Sequence, residues 1–180
     1  MYDPDFEHDA CGVGFIAHIK GLKSHGIVSQ GLQILKNLTH RGATGADPLA
    51  GDGAGILIQI PDAYFRQQCG FALPPAGQYG VGMIFLPKDG EERARCESVI
   101  AKHVEAEGQS VLGWRDVPTR NSGLGEGVKK AEPHIRQLFI GSHCQDQDGF
   151  ERRLFVIRKS VEHAVNAFGL NDTFYIPSMS

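Results

Sequence analysis

Asp9-Ala10-Cys11-Gly12-Val13-Gly14-Phe15 sets one cysteine between a short acidic leader and an apolar run, and most of what the chain can be turns on it. Read chemically, Cys11 is the first residue of a working enzyme, residues 1–10 being a leader removed by a cut after Ala10. A cysteine with a free α-amine holds nucleophile and base together, because the thiol can pass its proton, directly or through a water, to the amine beside it. A thiol with a reference pKa of about 8.5 is only roughly 3% thiolate at pH 7, so it needs such help. An α-amine titrating near about 7.7–8.0 is well matched to give it. The same nitrogen in an amide bond to Ala10 has no usable basicity. Small Ala10 and flexible Gly12 let the backbone twist and a nucleophile approach. The competing reading of these seven residues is a core cysteine near a strand start, since free cysteine is among the most buried residue types.

The whole chain sets the bounds. Its 180 residues suffice for one domain with a real core, and 41% hydrophobic with 22% charged residues is ordinary globular composition. A net charge of −3 with a pI near 6.2 gives no electrostatic reason to expect nucleic acid or an anionic membrane as partner. No apolar run approaches a membrane span, and the acidic leader lacks the basic start and apolar centre of a secretion signal. The expected location is therefore cytoplasmic, or an organelle lumen after loss of a targeting segment. Cys11, Cys69, Cys96 and Cys144 form no C-x-x-C pair, and the histidines form no H-E-x-x-H. Reduced thiols and no metal site are expected.

The pattern predicts a buried strand at Val13–Ile19, a turn from Lys20 to Gly26, and a helix from Ile27 to His40 stopped at Gly42. A glycine-rich loop over residues 42–55 runs into a strand at Ile56–Ile60. Asp62 is expected to cap a short helix reaching Cys69. Further strands are expected at Tyr79–Leu86, Val111–Val117 and Ile135–Ile140, with a long loop over residues 118–134. Asp89 with Glu92, and Asp148 with Glu151, read as capping boxes for two helices, the second carrying Phe150, Leu154, Ile157, Val161, Val165 and Phe168 on one face up to Gly169. Phe174–Pro177 begins a last strand; a strand needs a partner, which predicts a chain cut off mid-domain. Strands and helices mixed in this way imply sheets layered against helices.

The glycine-rich loop does not bind phosphate on this reading. It follows a helix and enters a strand, so no helix N-terminus points at an anion, and the G-x-x-x-x-G-K-[ST] pattern is absent. His40-Arg41-Gly42 is more informative. An arginine just after a helix, beside glycines that admit close approach, can turn its fixed fork toward a thiolate or carboxylate. It can equally be a cation placed at a helix C-terminus.

Taken together, Glu7-His8-Asp9-Ala10-Cys11-Gly12-Val13-Gly14-Phe15, Asn37-Leu38-Thr39-His40-Arg41-Gly42-Ala43 and the run from Gly51 to Pro61 resemble the start of the glutamate synthase large-subunit family. Gly113–Thr119 and Glu132–Gln137 continue the likeness, which covers essentially all 180 residues. The resemblance implies a class II glutamine amidotransferase domain over residues 11–180, an α+β protein of the N-terminal nucleophile hydrolase type, an αββα four-layer sandwich. It implies that Cys11 attacks the side-chain amide of L-glutamine through a thioester, releasing ammonia for conversion of 2-oxoglutarate to glutamate elsewhere in a longer enzyme. FMN and a [3Fe-4S] iron-sulfur cluster belong to that longer enzyme, with a small electron-transfer subunit or ferredoxin as partner and no cofactor expected in residues 1–180. Arg41 falls at the family's active-site arginine, with the role of positioning the cysteine and favouring its thiolate, and substrate contact as the lesser option. Many members carry cysteine where this chain has Thr44. The oxyanion-hole Asn-Gly segment and the substrate-binding arginine and aspartate are expected beyond Ser180, so these residues alone are expected to be inactive. A free-standing N-terminal cysteine amidohydrolase and a non-catalytic binding or regulatory domain are the alternatives.

Overall fold

Along Tyr79-Gly80-Val81-Gly82-Met83-Ile84-Phe85-Leu86 large side chains point alternately to two faces, as a central strand requires. The computed structural model describes residues 12–39, 50–51, 53–170 and 172–180. The leader, Cys11, His40, Arg41, Thr44 and most of the glycine-rich loop lie outside the described residues. The chain divides into two units, one drawn from residues 1–59 and 122–128, the other from residues 60–121 and 129–180.

In the second unit, β1 (Tyr79–Leu86) has the predicted bounds. With β2 (Ser110–Asp116), β3 (His134–Gly141) and β4 (Tyr175–Met179) it makes an antiparallel sheet in the order β2-β3-β1-β4. β1 pairs with β3 along its whole length, from Tyr79 opposite Gly141 to Leu86 opposite His134. On its other side it pairs with β4, Gly82 opposite Met179. The last strand thus has its partner within the chain, contrary to the expectation that it would lack one; hydrophobic pattern shows where a strand lies but not what it pairs with.

β1 and β2 run the same way on either side of β3, joined by α3 (Gly90–Ala106); β3 and β4 run the same way on either side of β1, joined by α5 (Gln147–Asn166). Two split β-α-β crossovers interleaved in this way form a β-α-β-β-α-β plait. The described residues therefore combine helices with an antiparallel sheet, the α+β class.

α3 begins as expected, the Asp89 carboxylate accepting from the amides of Glu91 and Glu92 at 2.9 Å each. α5 is capped two residues earlier than expected, by Asp146, which accepts from Gly149 N at 2.6 Å. Asp148 instead sits in the first turn, where a carboxylate still favours the helix dipole. Cys96, Ile100 and Val104 of α3 and Phe150, Leu154, Ile157, Val161 and Val165 of α5 close over Ile84, Leu86, Leu138, Ile140 and Ile176 in one apolar core. Each such side chain contributes about 1.5–3 kcal/mol by burial. Phe168 lies past the end of α5, partly exposed, under the Arg95 guanidinium 3.7 Å from its ring centre.

On the opposite face α2 (Asp62–Gln68) sets Phe65 edge-on against Phe139, ring centres 5.0 Å apart. Asp62 does not cap this helix; Pro61 is the N-cap and makes no side-chain bond. The Asp62 carboxylate is taken by two 2.9 Å bonds from Arg66 and one of 2.9 Å from the Tyr79 hydroxyl. Its side chain therefore ties the helix to β1 instead of to its own amides. Residues 118–134, expected as loop, contain the short α4 (Glu126–Ala131).

In the first unit, α1 (His25–Asn37) starts two residues before the predicted position because Ser24 caps it, accepting from Ile27 N at 3.4 Å. It ends before His40: Leu38 N bonds back to Ile34 O at 3.0 Å, and the Thr39 hydroxyl donates to Lys36 O at 2.6 Å. A side chain that bonds a nearby carbonyl competes with further helix. Val13–Ile19 and Ile56–Ile60 are not strands. Neither segment joins a ladder among the described residues, and an apolar run without a paired backbone is not a strand.

Candidate active site

The two candidate catalytic residues, Cys11 and Arg41, lie outside the described residues, but the residues that follow one and precede the other are described. Gly12 lies against Leu38 and Gly14 against Ile34. A Cβ built on Gly12 would stand 2.8 Å from Leu38 Cδ2, and one built on Gly14 only 2.6 Å from Ile34 Cγ2. Both distances are below ordinary carbon contact, so these positions hold glycine because the helix approaches the backbone.

The spacing has a simple origin. Ile34 and Leu38 are one turn apart, about 6 Å along a helix axis. Gly12 and Gly14 are two residues apart, about 6.6 Å along an extended chain. Since Gly12 meets the later helix residue and Gly14 the earlier, the segment runs opposite to α1. Cys11 precedes Gly12 in the sequence, and Arg41 follows Leu38 by three positions. Farther along α1, a Cβ on Gly31 would stand 2.9 Å from Ile56 Cδ1, so the apolar run after the glycine-rich loop lies against the same helix.

Two of the described thiols, Cys69 and Cys96, are held away from the thiolate form by burial. Cys96 is fully buried in the core, and burial, followed by the nearby Glu92 charge, pushes its thiol up to about 11. Burial also raises Cys69, Arg115 opposing it. Cys69, Cys96 and Cys144 are all free thiols. Among the described residues no three histidine, cysteine or acidic side chains come together as metal ligands, and no helix is long and apolar enough to cross a membrane.

The second unit has a cleft of about 570 Å³ at the Leu86 end of β1, reaching Asp89, Glu132 and Tyr175. In its lining Lys88 is 3.6 Å from Glu132, and the Asp89 carboxylate accepts from the amides of Glu91 and Glu92. It contains no thiol.

Reading the sequence placed Gly12 beside the nucleophile for its freedom and gave Gly14 no role. The signal for Gly14 was a pair of glycines two apart, set against Ile34 and Leu38 four apart. That correspondence is visible only once segment and helix are known to touch.

The family model for class-II glutamine amidotransferases matches residues 11–180. The chain is 49% identical over 183 residues to the glutamate synthase [NADPH] large chain of Bacillus subtilis (strain 168), covering 100% of this chain and 12% of that protein. It is 39% identical to glutamate synthase [NADH] of Schizosaccharomyces pombe, over 99% of this chain and 9% of that one. It is likewise 39% identical to ferredoxin-dependent glutamate synthase 2, chloroplastic, of Arabidopsis thaliana, over 97% of this chain and 11% of that one. The chain thus spans about a tenth of the length of these relatives.

Proposed function

The chain belongs to the class-II glutamine amidotransferases, and from that premise we propose that it is the glutaminase part of a glutamate synthase, with Cys11 as the N-terminal nucleophile. Once the bond after Ala10 is cut, the Cys11 thiol gives its proton to its own α-amine and the sulfur adds to the side-chain carbonyl carbon of glutamine. The C–N bond breaks, the nitrogen leaves as ammonia with the proton returned from the ammonium, and a thioester remains. Water, deprotonated by the same amine, releases glutamate and restores the thiol.

Arg41 is assigned to positioning Cys11 and favouring its thiolate through its charge. The single observation that carries this reading is the seat of Gly12 on Leu38, which brings the chain leaving Cys11 against the end of the helix that leads to Arg41. The family's match begins at Cys11, which supports removal of residues 1–10.

The ammonia is consumed in the remainder of the parent enzyme, where 2-oxoglutarate is aminated and reduced with FMN and an iron-sulfur cluster. The described residues do not fit such a cluster: no three thiolates or other ligands converge, and Cys96 is sealed in the core. No step proposed here passes through it. The names of the relatives include NADPH, NADH and ferredoxin as electron sources, so the same glutaminase chemistry is compatible with different donors.

The test uses the full-length parent. Mass spectrometry of the mature enzyme is expected to find Cys11 at its N-terminus, and Cys11→Ala to abolish glutamine-dependent synthesis while sparing ammonia-dependent synthesis. Active enzyme with Ala10 still attached, or glutamine hydrolysis surviving in the variant, would refute the reading.

A further inference from the structure

We infer that Gly14, kept free of a Cβ by the Cγ2 methyl of Ile34, is a positioning residue that holds the register of the nucleophile segment against α1. This rests on Cys11 as nucleophile and adds to it a residue that touches neither substrate nor sulfur. The two glycine contacts differ in kind. Leu38 meets Gly12 with Cδ2, the tip of a side chain that can swing aside. Ile34 meets Gly14 with Cγ2, a methyl fixed directly to Cβ. A β-branched side chain in a helix is held almost entirely in one χ1 rotamer, so this methyl cannot retreat without moving the backbone. Gly14 and Ile34 therefore form the rigid stop of the pair, and Gly12 with Leu38 the adjustable one.

Register matters because the segment and the helix run in opposite directions. Displacing Gly14 away from Ile34 shifts everything joined to it, and Cys11 is three residues upstream. Displacement by about 1 Å at a reacting centre can cost on the order of 100-fold in rate. The effect is specific to the branch point of residue 34 and not to its volume: leucine has the same number of carbons but no methyl on Cβ, whereas valine keeps that methyl and loses the outer carbon.

The experiment measures alkylation of Cys11 by iodoacetamide across pH, located by peptide mapping, together with kcat and KM for glutamine, in full-length parent whose N-terminus is verified. Gly14→Ala is expected to slow alkylation and lower kcat by roughly 10- to 100-fold, with KM changed less than about twofold because uniform binding is not lost. Adding Ile34→Leu to Gly14→Ala is expected to restore both rates; adding Ile34→Val is not. The Ile34→Leu and Ile34→Val single variants report on folding without the added methyl.

Wild-type alkylation in Gly14→Ala, or equal recovery with leucine and valine, would overturn the inference. So would a loss confined to KM. The proposed chemistry fails separately, if Cys11→Ala still hydrolyses glutamine; in that event alkylation at Cys11 still reads the register.

Discussion

Residues 12–59 and the plait of residues 60–121 with 129–180 both carry runs of large apolar side chains, but only the plait hides them. Ile84, Leu138, Phe139 and Leu154 are at 0% exposure, whereas Val13 is 93%, Phe15 87% and Leu57 87% exposed. α1 has no buried residue at all, while α5 buries five. The difference teaches that apolar content does not by itself make a core. In the plait each strand has a laddered neighbour and each helix a sheet face, so the side chains meet. Among the described residues of 12–59, Gly12, Gly14 and Ile56 lie against α1 while Val13, Phe15 and Leu57 stay exposed.

The division would be broken most readily at Phe139, which touches Phe65, Phe71 and Tyr79. Phe139→Ala is expected to cost about 3–5 kcal/mol, read as a lower urea midpoint; a loss below about 1 kcal/mol would mean that the covered face is not a core. A smaller effect is expected at Tyr79, whose phenol is pushed up to about 12, first by burial and then by its bond to Asp62. A folded value above the unfolded one of about 10 contributes stability that is complete below that pH and lost as pH climbs toward about 12. Tyr79→Phe should therefore flatten the alkaline limb of the stability profile and cost about 0.5–1.5 kcal/mol at neutral pH. An unchanged alkaline limb would show that the hydroxyl titrates freely. The smallest effect belongs to the other region: Val13→Ser is expected to leave unfolding of the chain within about 0.5 kcal/mol of wild type. A larger loss would mean that Val13 contributes to a core after all.

How much was legible in the sequence follows the same line. β1 was readable to the residue, since prolines and glycines bracket an alternating run, and α5 was readable from five apolar positions at helical spacing. The strands expected at Val13–Ile19 and Ile56–Ile60 join no ladder among the described residues, and a strand is a property of two segments where the pattern describes one. α4 escaped notice because six residues between glycines and charges carry no period, and isolated helices that short draw little from propensity. Cys11 and Arg41 were singled out from chemistry and motif, and both lie outside the described residues. Gly14 and Ile34 could not be paired from sequence, since nothing local in either announces the other.

The central place of β1 bears on how the chain is made. Residues 79–86 leave the ribosome early, yet one of their two neighbours is residues 175–179, and the amide of Val81 bonds to Ser180 O at 2.7 Å. During synthesis β1 must therefore wait with one open edge, able to recruit a stray strand, until almost the whole plait has emerged. Completion of this sheet waits on residues 175–180, and slowing the ribosome before residue 175 would lengthen the interval in which a chaperone is needed.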